Sequence, residues 1–276
     1  MVVAITGGFG FIGSYLQKRV GAIPIPRQME VGEIRELLKG EGVELVVNLA
    51  GATIFRPWTS QYKREILESR VKTTSKIVEA IEGVEGVKMF ISVSGTAIYP
   101  QNRECGEECP EIGKGFLAKV ALEWERAALQ SSKPTALLRL GVVFGNGGGM
   151  WEKLKPAAKL GFLPVIGDGS YYLSYIHIEE LVSIIQFLFW EGISGTFNAT
   201  TPNPVPYLQL VEELKKRRGK PVRPIFIPPF LLKPIFRGLV EEVLTASYRV
   251  YPRNLERIGY KFRYPTLSKV ISSLYF

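Results

Sequence analysis

The stretch Val2-Val3-Ala4-Ile5-Thr6-Gly7-Gly8-Phe9-Gly10-Phe11-Ile12-Gly13 decides how this chain folds. Val2 to Ile5 reads as a short buried strand, glycines follow at 7, 8, 10 and 13, and a helix begins near Phe11 and runs to Val20. That order brings backbone N–H groups at the positive end of a helix dipole to one point, where they suit an anion. Gly7 permits the sharp turn, Gly10 lets a pyrophosphate approach the backbone, and Gly13 lets helix and strand pack closely. Gly7, Gly10, Phe11, Ile12 and Gly13 are therefore candidate dinucleotide-binding residues. A tight structural turn between strand and helix is the other reading of the same glycines.

Outward from this start, Ala22 to Ile25 is a second strand that ends at Pro26-Arg27. An acidic residue at such a strand end binds the 2′-hydroxyl of NAD, whereas an arginine suits the 2′-phosphate of NADP. Arg27 thus favours NADP over NAD, although Glu30 lies close enough to complicate the charge argument. Gly32 to Lys39 has the pattern of an amphipathic helix and Val43 to Asn48 that of an apolar strand. This third strand runs into Leu49, Ala50 and Gly51, small enough for a cofactor to lie against the backbone. A helix from about Gln61 to Ile81, a strand Met89 to Ser94, a helix Phe116 to Leu129 and a strand Thr135 to Leu140 follow. Parallel strands joined by right-handed helical crossovers give an α/β fold with a doubly wound parallel sheet.

Hydroxyls gather at the end of the fourth strand, where Ser94 and Tyr99 are candidate catalytic residues; strand-end capping and packing are their structural readings. Arg139 near the tip of the next strand suits a phosphate or the nicotinamide side, and a buried ion pair is equally open. His177 has the pKa range for acid/base work near neutrality but reads first as a structural link between a strand and the helix Glu179 to Trp190.

A chain of 276 residues, 46% hydrophobic, can bury a large core and fits one nucleotide-binding domain with a smaller appended region. Its formal charge of +9 raises nucleic acid or acidic lipid as partners. The basic residues read as scattered, and Lys215-Lys216-Arg217-Arg218 as a solvated helix end, so neither partner is expected. Cys105 and Cys109 stand alone in an acidic loop, and with one histidine in the chain no zinc site of the usual type is expected. A reduced chain is the default for them, with a local disulfide open. The first strand begins at Val2 with no leader-like segment, which points to the cytoplasm, and the apolar runs 182–190 and 225–236 are too short or proline-broken to span a bilayer.

In the last third, Gly145 to Gly149 is a glycine-rich loop, Trp151 to Gly161 a helix, and Leu163 to Tyr172 a loop turning at Gly167-Asp168-Gly169. Gly195 to Ala199 returns as a strand, after which prolines punctuate 202–234 and two or three amphipathic helices follow. The apolar 225–236 segment is a candidate homodimer contact.

Several motifs together resemble the extended short-chain dehydrogenase/reductase superfamily: the opening glycine turn, Asn48-Leu49-Ala50-Gly51, and Ser92-Val93-Ser94 followed by Tyr99. Arg56-Pro57-Trp58-Thr59 ahead of Ser69-Arg70, Trp124-Glu125, Arg139-Leu140-Gly141-Val142-Val143, Tyr175-Ile176-His177-Ile178 and Gly259-Tyr260-Lys261-Phe262 narrow it. They are similar to the atypical branch of nucleoside-diphosphate-sugar epimerase-like proteins. The resemblance implies NADP binding and adds Arg70, Ser92 and Arg139 to the cofactor-binding residues. It also implies a dinucleotide-binding domain over 1–145, rejoined by about 173–200. Segments 146–172 and 201–276 would form a mainly helical substrate lid, with Tyr171, Tyr172, Phe230 and Phe236 available to line a pocket.

One departure matters more than any match. Where the superfamily carries a catalytic tyrosine and a lysine four residues later, this chain has Phe116 and Val120. Neither transfers a proton or supplies a cation. Two functions follow: an NADP(H)-dependent reductase, epimerase or dehydratase acting on a nucleotide-linked sugar or similar hydroxylated carbonyl compound, or a dinucleotide-binding sensor without turnover.

Overall fold

Strand, helix and strand alternate as the pattern requires in the computed structural model, which describes residues 1–276 apart from the Arg237 side chain. The main strands are β1 (Val3–Thr6), β2 (Ile23–Pro24), β3 (Leu45–Asn48), β4 (Met89–Gly95), β5 (Thr135–Leu140) and β6 (Gly195–Ala199). They form one six-stranded sheet in the order β6-β5-β4-β3-β1-β2, every pair parallel. The chain steps from β1 to β2 on one side and then returns to lay β3 on the other. The crevice beyond the carboxyl ends of β1 and β3 is thus the switch point at which open parallel sheets bind ligands.

Successive residues of a strand face opposite ways, and the two faces bury two different sets of helices. Ile5, Val47, Ile91 and Leu138 pack toward α1 (Phe11–Val20) and α6 (Ile178–Trp190). Their neighbours Ala4, Val46, Phe90 and Leu137 pack toward α2 (Val31–Gly40) and α3 (Ser60–Glu82). The sheet is doubly wound, as the sequence pattern predicts. α4 (Phe116–Ala128) lies beside α3.

The lid has a core of its own, with Trp151, Leu163, Val165, Tyr175, Leu210 and Leu214 all buried. It draws on α5 (Gly149–Lys159) and α7 (Tyr207–Arg218), and α8 (Pro229–Leu239) lies beyond it. The expectation of a loop over Leu163 to Tyr172 is corrected. Phe162–Ile166 is a strand, paired in parallel with Arg223–Ile227, and Tyr172–Leu173 pairs antiparallel with Val205–Pro206. The lid is mainly helical, as expected, with its helices resting on short ribbons. Pro164 disguises the first of these strands, and its partner lies some sixty residues downstream, so no local pattern reveals the pairing. Cys105 and Cys109 are joined as a disulfide. Among the described residues no helix is long and apolar enough to cross a membrane.

Candidate functional site

The opening turn is built so that only glycine fits at positions 7 and 13. Gly7 takes φ +68°, and a side chain on it would meet the Leu49 carbonyl oxygen at 2.8 Å. A Cβ on Gly13 would stand 2.8 Å from the Gly8 Cα and closer still to the Gly7 oxygen, so α1 rests directly on the loop backbone. The Gly10 N–H donates to the Gly7 carbonyl (2.9 Å), and Gln17 Nε2 donates to the Gly8 carbonyl (2.6 Å). α1 begins with no side-chain cap and no acidic residue in its first turn. Its leading amides at Phe11, Ile12 and Gly13 therefore lack the partner that a helix start normally recruits from its own sequence. The Phe11 ring turns away from them into Gly145, Gly148 and Gly149, where any side chain would collide with it. That contact gives the second glycine-rich loop its purpose.

Beside the turn, Thr6 Oγ donates to Asn48 Oδ1 (2.6 Å) and accepts from the amides of Leu49 (3.0 Å) and Ala50 (3.1 Å). Asn48 Nδ2 donates to Thr74 Oγ (2.7 Å) and Ser92 Oγ (3.2 Å). Ser92 is only 1% exposed, so it braces β3 against β4 instead of facing the crevice. Under the Leu49–Gly51 loop lies Arg70, whose guanidinium donates to the Ile66 and Ala52 carbonyls (2.9 and 3.1 Å) and stands over the Trp124 ring. It occupies the space a side chain on Gly51 would need. No carboxylate among the described residues pairs with it, and burial pulls its pKa down to about 10. Arg27 is exposed just beyond β2, whose Pro24 abuts Gly8.

The two candidate catalytic hydroxyls are already engaged. Ser94 Oγ donates to Glu125 Oε1 (2.5 Å), and Glu125 receives Arg139 through both oxygens, from Nε at 2.9 Å and Nη2 at 2.8 Å. Arg139 Nη1 donates to the Tyr99 hydroxyl (2.7 Å), which donates in turn to Asn198 Oδ1 (2.9 Å). Tyr99 is 2% exposed and burial raises its pKa, so the structure gives it the packing role rather than that of a donor to substrate. Burial works against the Arg139 cation, and its bonds to Glu125 more than offset this, leaving its pKa raised. Of its two readings Arg139 takes the buried ion pair. Glu125, named in the sequence only as part of the Trp124-Glu125 motif, is the residue whose role the sequence does not reveal. Its only local signal is a carboxylate directly after Trp124 on a helix face that is otherwise apolar.

At the head of α4 the positions of the missing pair are filled by packing. The Phe116 ring meets Trp58 edge-on at 5.4 Å with Lys63 Nζ over it at 5.1 Å, and Val120 is buried with Tyr62 and Ile66. From the lid, the Glu242 carboxylate accepts the amides of Phe116 (2.9 Å) and Leu117 (2.8 Å) and so caps the helix. His177 is a link, as its first reading has it. Its Nδ1 accepts the Glu179 amide at the start of α6, and Nε2 lies 3.0 Å from Ser273 Oγ, which itself donates to the Val270 carbonyl. Burial pushes its pKa down to about 4, so it is neutral near pH 7.

A cavity of about 950 Å³ opens between the lid and the loop after Tyr99, lined by Gln101, Asn102, Asp168, Tyr172, Lys233 and Arg249 among others. Tyr171 also lines it, while Phe230 borders a smaller neighbouring hollow and Phe236 lines neither. Its cations are each paired, Lys233 with Glu241 (3.2 Å) and Arg249 with Glu104 (3.4 Å), and Arg249 lies 3.7 Å over the Tyr172 ring.

Comparison with known proteins places the fold in a family. An epimerase family protein SDR39U1 homolog of Arabidopsis thaliana is 30% identical over 304 residues, covering 99% of this chain and 86% of its own. An epimerase family protein of Mycobacterium bovis is 30% identical over 98% of this chain and 96% of its own. The crystal structure of human epimerase family protein SDR39U1 with NADPH superposes with a TM-score of 0.87 at 27% identity, covering 99% of this chain and 98% of that one. Residues 227–274 match a domain of unknown function, DUF1731. Residues 28–199 match the NAD dependent epimerase/dehydratase family, and the chain belongs to that family.

Proposed function

We propose that the chain binds NADP(H) across the carboxyl ends of β1, β3 and β4 and acts on a small hydroxylated carbonyl compound, a nucleotide-linked sugar first among them, held in the lid cavity. The observation that carries this reading is the uncapped start of α1 on a loop that admits only glycine at positions 7 and 13, a shape suited to a pyrophosphate. The human relative crystallised with NADPH supports the choice of cofactor.

When bound, NADPH supplies a hydride. The chain's own part is positional. Amides of Phe11, Ile12 and Gly13 take the pyrophosphate, Arg27 stands where a 2′-phosphate is read, and Arg70 places an unpaired cation behind the Leu49–Gly51 loop. Ser94, Glu125, Arg139, Tyr99 and Asn198 fix the ends of β4, β5 and β6 relative to α4. Phe116 moves no proton. The same engaged hydroxyls favour a second reading, a dinucleotide-binding sensor without turnover.

NADPH titration followed by a turnover assay against a panel of carbonyl compounds, nucleotide-sugars included, separates the two. Turnover of any panel member supports the enzyme, binding without turnover supports the sensor, and absence of binding to either pyridine nucleotide overturns both.

A further inference from the structure

The charge of this chain is concentrated in one segment. Residues 215–240 hold eight lysines and arginines and no acidic residue, leaving 27 basic and 26 acidic residues over the other 250. In effect the protein is a near-neutral body with one strongly basic flap. The structure places that flap at the surface of the lid. Lys215, Lys216, Arg217, Lys220, Arg223 and Lys233 are all exposed; Lys216 and Lys233 pair with Glu213 and Glu241 at the borders of the segment, and Lys220 and Arg223 lie between them.

Large apolar side chains emerge from the same segment. Ile225 (48% exposed) and Phe226 (53%) are neighbours on the strand Arg223–Ile227 and so leave by its two faces, each about half open to solvent. On α8, Phe230, Leu231 and Ile235 are 68%, 58% and 61% exposed, and spacings of one and four residues set them on one side of the helix. Scattered exposed apolar residues are ordinary; five of them within eleven residues, in a segment that also carries Lys220, Arg223 and Lys233, mark a contact surface.

We propose that this flap docks on an anionic lipid bilayer surface, its cations at the headgroups and Phe226, Phe230 and Leu231 inserted among the upper acyl carbons. Charge complementarity selects this partner. A second copy would bring two such basic segments face to face, which disfavours the homodimer expected for 225–236. Pairing along the strand edge is hindered as well: Arg223 and Ile227 bond toward Phe162–Ile166, so Pro224 faces outward, where it has no N–H to offer. Nucleic acid is disfavoured because Ile225, Leu231 and Ile235 have no π-face on which a base could stack. The expectation of no membrane contact rested on the basic residues being scattered, and by segment they are not. The chain lies on the bilayer rather than in it. Pro229 and Lys233 of the same helix line the lid cavity, so docking brings the cavity rim to the lipid.

The test is co-sedimentation of the full chain with vesicles of phosphatidylcholine alone and of phosphatidylcholine containing phosphatidylglycerol. Binding is expected only to the anionic vesicles and is expected to fall steeply with salt. Phe226→Ser with Phe230→Ser, and separately Lys220→Glu with Arg223→Glu, should each weaken it about tenfold or more. Lys18→Glu with Arg19→Glu, an equal charge change on the exposed end of α1, should alter it less than about twofold. Circular dichroism confirms that each variant is folded. Equal loss in the α1 control, unchanged binding in the Phe226/Phe230 variant, or binding to duplex DNA or to a second copy in place of vesicles would each overturn the proposal.

Discussion

Replacing Gly13 by alanine adds one carbon at the point where α1 meets the glycine turn. That carbon would stand 2.8 Å from the Gly8 Cα, with the Gly7 carbonyl nearer still, and both are backbone atoms that cannot rotate away. Restoring an ordinary carbon–carbon separation of about 3.5 Å requires a shift of roughly 0.7 Å in the loop or the helix. For stability the effects partly cancel: overpacking costs about 1–3 kcal/mol, while alanine in place of glycine in a helix returns about 1 kcal/mol. For ligand binding nothing offsets the shift. If it breaks two charge-assisted amide–phosphate bonds, each worth about 1.5–3 kcal/mol, NADPH affinity should fall by roughly a hundredfold or more. Gly32→Ala in α2 is the control, since nothing lies within 4 Å of the added carbon. It should stabilise by a few tenths to about 1 kcal/mol and leave binding unchanged. Urea unfolding gives the stabilities and NADPH fluorescence titration the affinities. A Gly13→Ala protein that stays folded and binds NADPH as tightly as the parent would show that the turn is a packing device and not the cofactor cradle.

Other consequences are open to measurement. Arg27→Ala should weaken NADPH binding by about 1.5–3 kcal/mol and leave NADH nearly unaffected, as read by parallel titrations; equal loss for both removes Arg27 from the 2′-phosphate. Glu125→Gln leaves the buried Arg139 cation without its counter-charge and should cost about 3–5 kcal/mol in denaturant unfolding; a loss under 1 kcal/mol would mean the ion pair is not holding β5 to α4. His177, with its pKa depressed to about 4 in the fold against 6.5 when free, contributes stability that is fully present above about pH 6.5. That contribution is lost as pH falls toward 4, by about 3 kcal/mol in all. His177→Asn keeps an acceptor for the Glu179 amide and should flatten that window; an unaltered slope would refute the assignment. Phe116→Tyr alone should confer little turnover, because Val120 still supplies no cation, and a large gain in a panel assay would contradict this.

The sheet was legible because its signals are local. β5 and β6 span Thr135–Leu140 and Gly195–Ala199 as expected, and α1 runs from Phe11 to Val20 as the glycines and the apolar spacing dictate. The direction of a hydroxyl is not a local property. Ser94 is turned inward by a carboxylate 31 residues away, and Tyr99 is held by an amide 99 residues away. Neither partner can be assigned before the crossovers are built. The same holds for the strand Phe162–Ile166, whose pairing with Arg223–Ile227 is invisible to any window shorter than the intervening chain. Charge was misread for a different reason: a count over the whole chain conceals that 215–240 carries nearly all of the excess.

The buried chain from Ser94 through Glu125, Arg139 and Tyr99 to Asn198 also bears on what chemistry the crevice can do. Its one anion and one cation neutralise each other, and its hydroxyls have both partner and direction fixed, so it projects neither charge nor a free proton toward the cofactor. Phe116 and Val120 project none either. What remains at the crevice is backbone amide, with the Arg70 cation behind the Leu49–Gly51 loop, a combination suited to holding negative charge and not to moving protons. Any proton that accompanies hydride transfer must then come from outside this network: from solvent, from the substrate's own hydroxyls, or from a group lining the lid cavity such as Asp168 or Lys233. A reaction supported by this fold should accordingly keep a pH profile that does not change when Ser94 or Tyr99 is replaced, provided the variants remain folded. A profile that moves with either hydroxyl would mean that the network opens when substrate binds.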